Sequence, residues 1–174
     1  MARNTLTPTA WIEAGLAQLA AEGPDALRAE PLARHLKTTK GSFYWHFADV
    51  PAFHGALLAH WKEAALSGAE ALSEAEGTGA ERLIQLGQLV QGDSADAALR
   101  AWGQSNADVA QTVADVDAAR MRHLSGLLKE MGTTNDDFAK AAYGALVGLR
   151  QMKMEDGEAL IAYAALIDLV LALQ

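Results

Sequence analysis

The sequence predicts an all-α protein, with a small helical head at its start and a larger helical body behind it. Three observations carry that expectation. The hydrophobic fraction of 51% is supplied largely by Ala and Leu, which favour helices, and runs of Val, Ile and Thr at strand spacing are absent. Apolar residues recur at helical intervals, as in Ile12, Leu16 and Leu19. Pro and Gly stand where helices would begin and end, as at Pro8 and Gly23. At 174 residues the chain can bury one sizeable core, or a small head joined to a larger body, and is short for two full-sized domains. The expected division is a head over residues 5–65 and a larger helical body over residues 66–174.

The elements follow in order. A first helix starts after Thr7, a good N-cap, with Pro8 in its first position, and stops at Gly23-Pro24. Its expected inward stripe is Ile12, Leu16, Leu19 and Ala20. A short second helix runs from Ala29 to Leu36, with Pro31 tolerated because it lies in the first turn. Thr39 is the expected N-cap of a third helix, Lys40 to Phe47, whose inner face carries Phe43 and Phe47. A fourth helix begins near Pro51 with Phe53, Leu57 and Trp61 on one side, and fades at Gly77 to Gly79. Beyond it the pattern predicts helices over 80–91, 94–104, 106–131, 136–154 and 156–173. Gly132 is the expected stop of the long one, and Thr134 to Asp137 resembles a capping box opening the next.

The formal net charge of −8 argues against a nucleic-acid partner only if it is spread evenly. It is not. Residues 1–47 hold five basic side chains (Arg3, Arg28, Arg34, Lys37, Lys40) against four acidic ones (Glu13, Glu22, Asp25, Glu30), so the acidity belongs to the body. The chain has no Cys, which excludes disulfides and Cys-ligated zinc. No apolar stretch follows Met1, and the most apolar segment, 159–172, is short and interrupted by Asp168, so a soluble cytoplasmic protein without membrane contact is expected. The five His residues include no i,i+4 pair, no phosphate-binding Gly-rich loop is present, and no Gly-x-Ser-x-Gly elbow occurs. No metal, no cofactor and no enzymatic activity are expected.

The informative segment is Leu27 to Phe53. Two short helices with a tight turn between them match a helix-turn-helix, whose second helix enters the major groove by its N-terminal end. Around the inward Phe43 and Phe47, the outer side presents Lys40, Ser42, Tyr44, Trp45 and His46, all able to donate hydrogen bonds to phosphates or base edges. Trp45 reads equally well as a packing residue. Gly41 removes a side chain where close approach to DNA is useful, and Thr39 sits at the positive end of the helix dipole. Arg28 and Lys37 complete the expected DNA-contacting set, and Arg3 is either a groove contact or part of a disordered arm.

The string Leu36-Lys37-Thr38-Thr39-Lys40-Gly41-Ser42-Phe43-Tyr44-Trp45-His46-Phe47 resembles the signature of the TetR family of bacterial transcriptional regulators, over about the first 60 residues. The resemblance implies that Phe43 and Phe47 are core, that Tyr44 and His46 touch phosphates, and that Lys40 to Ser42 read bases. It implies a repressor that binds a palindromic operator as a homodimer, and a small-molecule effector that moves the fourth helix, residues 51–67. Looser likenesses to the family's bodies are Ala101-Trp102, Asp108 to Ala110, Asp117 to Arg120 and Ala145 to Leu149. Three departures stand out: Lys37 where the turn usually carries Gly, Val50 where a phosphate-binding Lys is usual, and Glu30-Pro31 at the start of the second helix.

In the body, Leu83, Leu86, Trp102, Val113, Met121 and Leu124 are candidates to line an effector pocket, or are simply core. Arg120, Arg122 and His123 are either anion-recognising or solvated. Ala141, Gly144, Ala145 and Gly148 are small residues at helical spacing, and with Leu166, Ile167 and Val170 of a nearly all-apolar last helix they form the expected dimer interface. The rival reading is a helical ligand-binding scaffold that does not read DNA, supported by Val50 and the acidic total.

Overall fold

The computed structural model describes residues 6–133, 135–152, 154–155 and 157–172. All regular structure among them is helical: α1 (Pro8–Glu22), a 3₁₀ turn (Pro24–Ala26), α2 (Ala29–His35), α3 (Lys40–Tyr44), α4 (Val50–Glu74), α5 (Gly79–Gly92), α6 (Asp96–Gly103), α7 (Ala107–Glu130), α8 (Asp136–Gln151) and α9 (Glu158–Ala172). No helix of the described residues is long and apolar enough to cross a membrane. The chain divides into two compact units. One comprises the residues up to Glu63 together with Ser94–Val113, the other Ala64–Asp93 together with the residues from Ala114 onward.

In the first unit α1 begins and ends as its sequence dictates. Thr7 Oγ1 accepts from the Ala10 N–H at 3.1 Å, and Gly23, at φ 81°, stops the helix in a conformation that other residues avoid. The inward face differs from the expected stripe: Trp11, Ile12, Gly15 and Leu19 are buried, while Leu16 is half-buried and Ala20 exposed. Trp11 decides the rotation. Its large ring packs edge-on to Phe43, centroids 5.4 Å apart at 83°, and burying that area outweighs burying an alanine. Gly15 completes the face, because a Cβ there would lie 2.7 Å from Phe53 Cζ of α4. Phe43 is the hub of the cluster, with Phe47 and Phe53 centroids at 5.2 and 5.3 Å.

His54 of α4 closes the other side of this unit. Its Nε2 lies 3.2 Å from the Leu27 carbonyl oxygen, and its ring packs edge-on to Trp102 of α6 at 5.0 Å. Burial holds its pKa below the ordinary value of 6.5, against the opposing pull of the Leu27 hydrogen bond. The unfolded chain therefore binds more protons than the folded one in the ordinary histidine range, so stability falls as pH drops through that range. The melting temperature should decline from about pH 7.5 to pH 5.5. His54→Gln, which keeps a donor for Leu27, should flatten that decline, and an unchanged slope in the variant would refute the assignment.

In the second unit α5, α8 and α9 pack against one another. Leu83, Leu86 and Val90 meet Leu124, Leu127 and Leu128 of α7, Ala142 and Leu146 of α8, and Tyr163, Ile167 and Val170 of α9. α5 opens with a full capping box between Thr78 and Glu81. It closes under Arg150, whose guanidinium donates to the carbonyls of Val90 (2.5 Å), Gln91 (2.6 Å) and Asp93. A helix leaves its last carbonyls without partners, and a cation there also meets the negative end of the dipole. Buried Arg120 pairs with Asp93 at 3.1 Å, and the Tyr143 hydroxyl donates to Asp117 Oδ1 at 2.7 Å. Burial together with that carboxylate pushes the Tyr143 pKa up to about 12.

Several expected helix ends and caps shift, and α8 ends at Gln151 and not at 154. The cap of α8 is Asn135, whose side chain accepts from the Asp137 N–H at 2.9 Å; Thr134, the expected cap, lies outside the described residues. α3 ends at Tyr44 and not at Phe47, with His46 N–H and Phe47 N–H both donating to the Phe43 carbonyl at 3.0 Å. The chain turns there so that Phe47 can reach Phe53, centroids 5.0 Å apart. Gly132 terminates α7 at φ 94° as expected.

Candidate nucleic-acid interface

α2 and α3 are held together by the turn at Lys37. The Lys37 N–H donates to Arg34 O at 3.1 Å and the Thr38 N–H to Ala33 O at 2.9 Å, the paired bonds of a Schellman cap. That cap needs a left-handed residue, and Lys37 supplies it at φ 53°, at a cost of about 1 kcal/mol relative to glycine. A lysine in this strained position places a cation in the turn that leads to α3. Thr39 then caps α3, its Oγ1 accepting from the Ser42 N–H at 3.3 Å.

α3 buries one side chain completely, Phe43, and offers the rest outward. Lys40 and Gly41 are exposed, Ser42 and His46 half-buried, and Tyr44 is 47% exposed although its ring edge rests on Phe43. Lys40 Nζ stands 5.9 Å from the Tyr44 ring centroid, one helical turn along the same face. Trp45 is 88% exposed, which removes the packing reading left open for it. Gly41 has no steric need to be glycine: a Cβ there would meet only Thr39 Oγ1, at an ordinary 3.7 Å. Beside α3 lies an open concavity of about 380 Å³, lined by Arg28, Glu30, Arg34, Lys40, Tyr44 and Val50. At the start of α4 the Asp49 carboxylate accepts from the Ala52 N–H at 2.7 Å, so this helix end is already occupied by an anion. Together with Val50, that makes the start of α4 a poor phosphate site.

α3, the second arm of a helix-turn-helix, thus shows solvent a lysine and a glycine with no packing need, and is followed by an uncovered tryptophan. Residues 12–49 match the profile of the bacterial regulatory proteins of the tetR family. Over that segment the chain is similar to the head of the tetR-family proteins. No curated protein sequence matches it, but the fold recurs in solved structures over nearly the whole chain. One is a protein from Rhodococcus sp. assigned to the TetR-family transcriptional regulators, 20% identical, with 94% of this chain and 98% of that one aligned at a TM-score of 0.76. Another is reduced NemR of E. coli, 19% identical, 94% and 96% covered, TM-score 0.74. FadR from Bacillus subtilis, solved in complex with stearoyl-CoA, is 19% identical, 93% and 96% covered, TM-score 0.64. At these identities the likeness shows a common fold.

In the TetR-type head, the expected DNA-contacting set is gathered on α3 and around it: Thr39 to Ser42 and Tyr44 to His46 on the helix and the turn that follows, Lys37 in the turn before it, and Arg28 at the N-cap of α2. Arg3 lies outside the described residues. Sequence reasoning left out Arg34, whose place in the concavity beside Lys40 follows only from the packing of α2 on α3.

The body candidates are distributed differently. Leu83, Leu86 and Leu124 are fully buried in the second unit, with Met121 packed against them. Trp102 and Val113 belong to the first unit, and Trp102 faces His54. Arg120 is buried with Asp93, whereas Arg122 and His123 line a shallow concavity of about 230 Å³ with Glu130. Of the residues expected at a dimer interface, Ala141, Gly144 and Gly148 are exposed on α8, and Ala145 is half-buried. On α9, Ile167 and Val170 are buried within the second unit, Leu166 is partly buried against the same core, and the outward apolar residues are Ile161 and Leu169.

Proposed function

We propose that this protein is a cytoplasmic transcriptional repressor that binds a palindromic operator as a homodimer and is released by a small-molecule effector. The outer face of α3 carries the reading: Lys40, Gly41 and Tyr44 are exposed, with Ser42 half-exposed, on a helix anchored by one buried phenylalanine, and Trp45 is exposed at its C-cap. Lys40 and Ser42 have the reach and the hydrogen-bonding groups for base edges. Tyr44 and His46 are suited to phosphates, which fix orientation without reading sequence. Trp45 offers a flat apolar surface for a thymine methyl or a sugar. For release, α4 is the apt element: one unbroken helix, Val50–Glu74, starting beside α3 and continuing into the second unit. An effector would need to favour one position of that helix by about 1–3 kcal/mol. In FadR the ligand is an acyl-CoA; the chemistry of any effector here is a question for a thermal-shift screen of metabolites.

Gly41→Ala tests the DNA reading most cleanly. Alanine is the better helix former and meets nothing inside the protein, so stability should rise by up to about 1 kcal/mol. The added methyl stands where DNA must approach, so affinity for an operator selected from a randomised duplex pool should fall. A variant more stable than the parent with weakened DNA binding supports the reading, and one that binds DNA as well as the parent counts against it.

A further inference from the structure

Two carboxylates stand among the cations of the proposed DNA face. Asp25 Oδ1 accepts from Arg28 Nη2 at 2.6 Å, and the Asp25 carbonyl accepts from Arg28 Nε at 3.2 Å. Glu30 Oε1 accepts from Arg34 Nη2 at 3.3 Å, one turn along α2. All four side chains are at least 66% exposed. Ion pairs so exposed do little for a fold, since water screens them and ordering two long side chains costs entropy. Their position is more telling than their strength. Arg28, Glu30 and Arg34 line the same concavity as Lys40 and Tyr44, the outward residues of α3.

We propose that Asp25 and Glu30 act as built-in competitors of DNA phosphate. Each holds one arginine of α2 or its N-cap, so the head meets duplex DNA with fewer free cations than it carries. The inference rests on the DNA-binding reading and adds to it the device that sets how weak sequence-independent binding is. A phosphate reaching Arg28 or Arg34 must displace a carboxylate already hydrogen-bonded there and then lie close to that negative charge. Counterion release, the main source of sequence-independent affinity, is reduced by about one ion for every arginine so held. Discrimination is thereby left to the groups on α3 that face bases.

The test uses the full chain and a fluorescein-labelled duplex of random sequence, with binding followed by anisotropy across roughly 50–200 mM salt. Glu30→Gln and Asp25→Asn should each tighten binding about fivefold per bound head near physiological salt, and steepen the dependence of log affinity on log salt by about 0.9. Arg34→Ala should cancel most of the gain from Glu30→Gln. Glu70→Gln, an exposed position on α4 in the second unit, makes the same change in net charge and should alter neither quantity. Equal tightening by Glu70→Gln would assign the effect to bulk charge and overturn the proposal. Unchanged affinity and salt slope in both acid variants, with the parent protein binding DNA, would overturn it alone. A parent protein that binds no duplex even at low salt would remove the DNA-binding reading and the proposal together.

Discussion

Phe43→Ala should cost the head about 3–5 kcal/mol, a large part of what holds a small helical unit together. The ring is fully buried and sits between Trp11, Phe47 and Phe53, with every centroid within 5.4 Å, so no neighbour can swing in to fill the space without leaving its own contacts. The same truncation two residues later has the opposite profile. Trp45 is 88% exposed, and Trp45→Ala should change stability by no more than about 0.5 kcal/mol while weakening DNA binding. Thermal unfolding by circular dichroism beside DNA-binding titrations separates the two. If Trp45→Ala melted the head as Phe43→Ala does, the outward orientation of Trp45 would be wrong; if it left DNA binding untouched, its place in the interface would be.

Leu169→Glu, alone or with Ile161→Glu, should give a folded monomer that binds its operator about 10²-fold or more weakly. α9 turns Tyr163, Ile167 and Val170 into the core of its own unit, and leaves Ile161 (72% exposed), Ala165 and Leu169 (57% exposed) as an outward stripe at four-residue spacing. On α8, Ala141, Gly144 and Gly148 share an outward face, and a Cβ added at either glycine meets nothing within 4 Å, so another helix could approach closely. A second copy of the α8–α9 pair would cover both stripes and form a four-helix bundle about a two-fold axis. The two heads linked in such a dimer would engage adjacent half-sites, the second at high effective concentration. Leu166, the natural target from sequence alone, is partly committed to the core of its own unit, so a charge there would confuse unfolding with dissociation. Light scattering and operator titration are the measurements. A Leu169→Glu protein that remains dimeric with full affinity, or a parent protein that is monomeric while binding operator tightly, would sink the interface.

Whatever depends on neighbours a few residues away was legible in the chain. The Thr7 and Thr39 caps, the Gly23 and Gly132 stops, Pro8 in the first position of its helix and the left-handed Lys37 all stand where local chemistry places them, because a cap or a turn closes its hydrogen bonds within six residues. The string from Leu36 to Phe47 pointed to the TetR-type head for the same reason: the turn at Lys37, the Thr39 cap, one short helix and the turn that carries Phe47 back onto Phe43 all close within a few residues.

The structure decided what depends on partners far along the chain. It chose Trp11 over Leu16 and Ala20 for the inner face of α1, since Phe43 and Phe53 lie more than thirty residues away and only their rings make that side the better one to bury. It placed Trp102 opposite His54 in the first unit, where the sequence by itself leaves it a pocket-lining candidate of the body or simply core. It seated Arg150 on the carbonyls that end α5, and buried Arg120 against Asp93. Arg150 looks in the sequence like an ordinary charged residue of a solvated helix face, and Arg120 reads there as either anion-recognising or solvated. A charge can be buried only where an opposite charge or a set of unpaired carbonyls meets it, and that meeting exists only once the helices have packed.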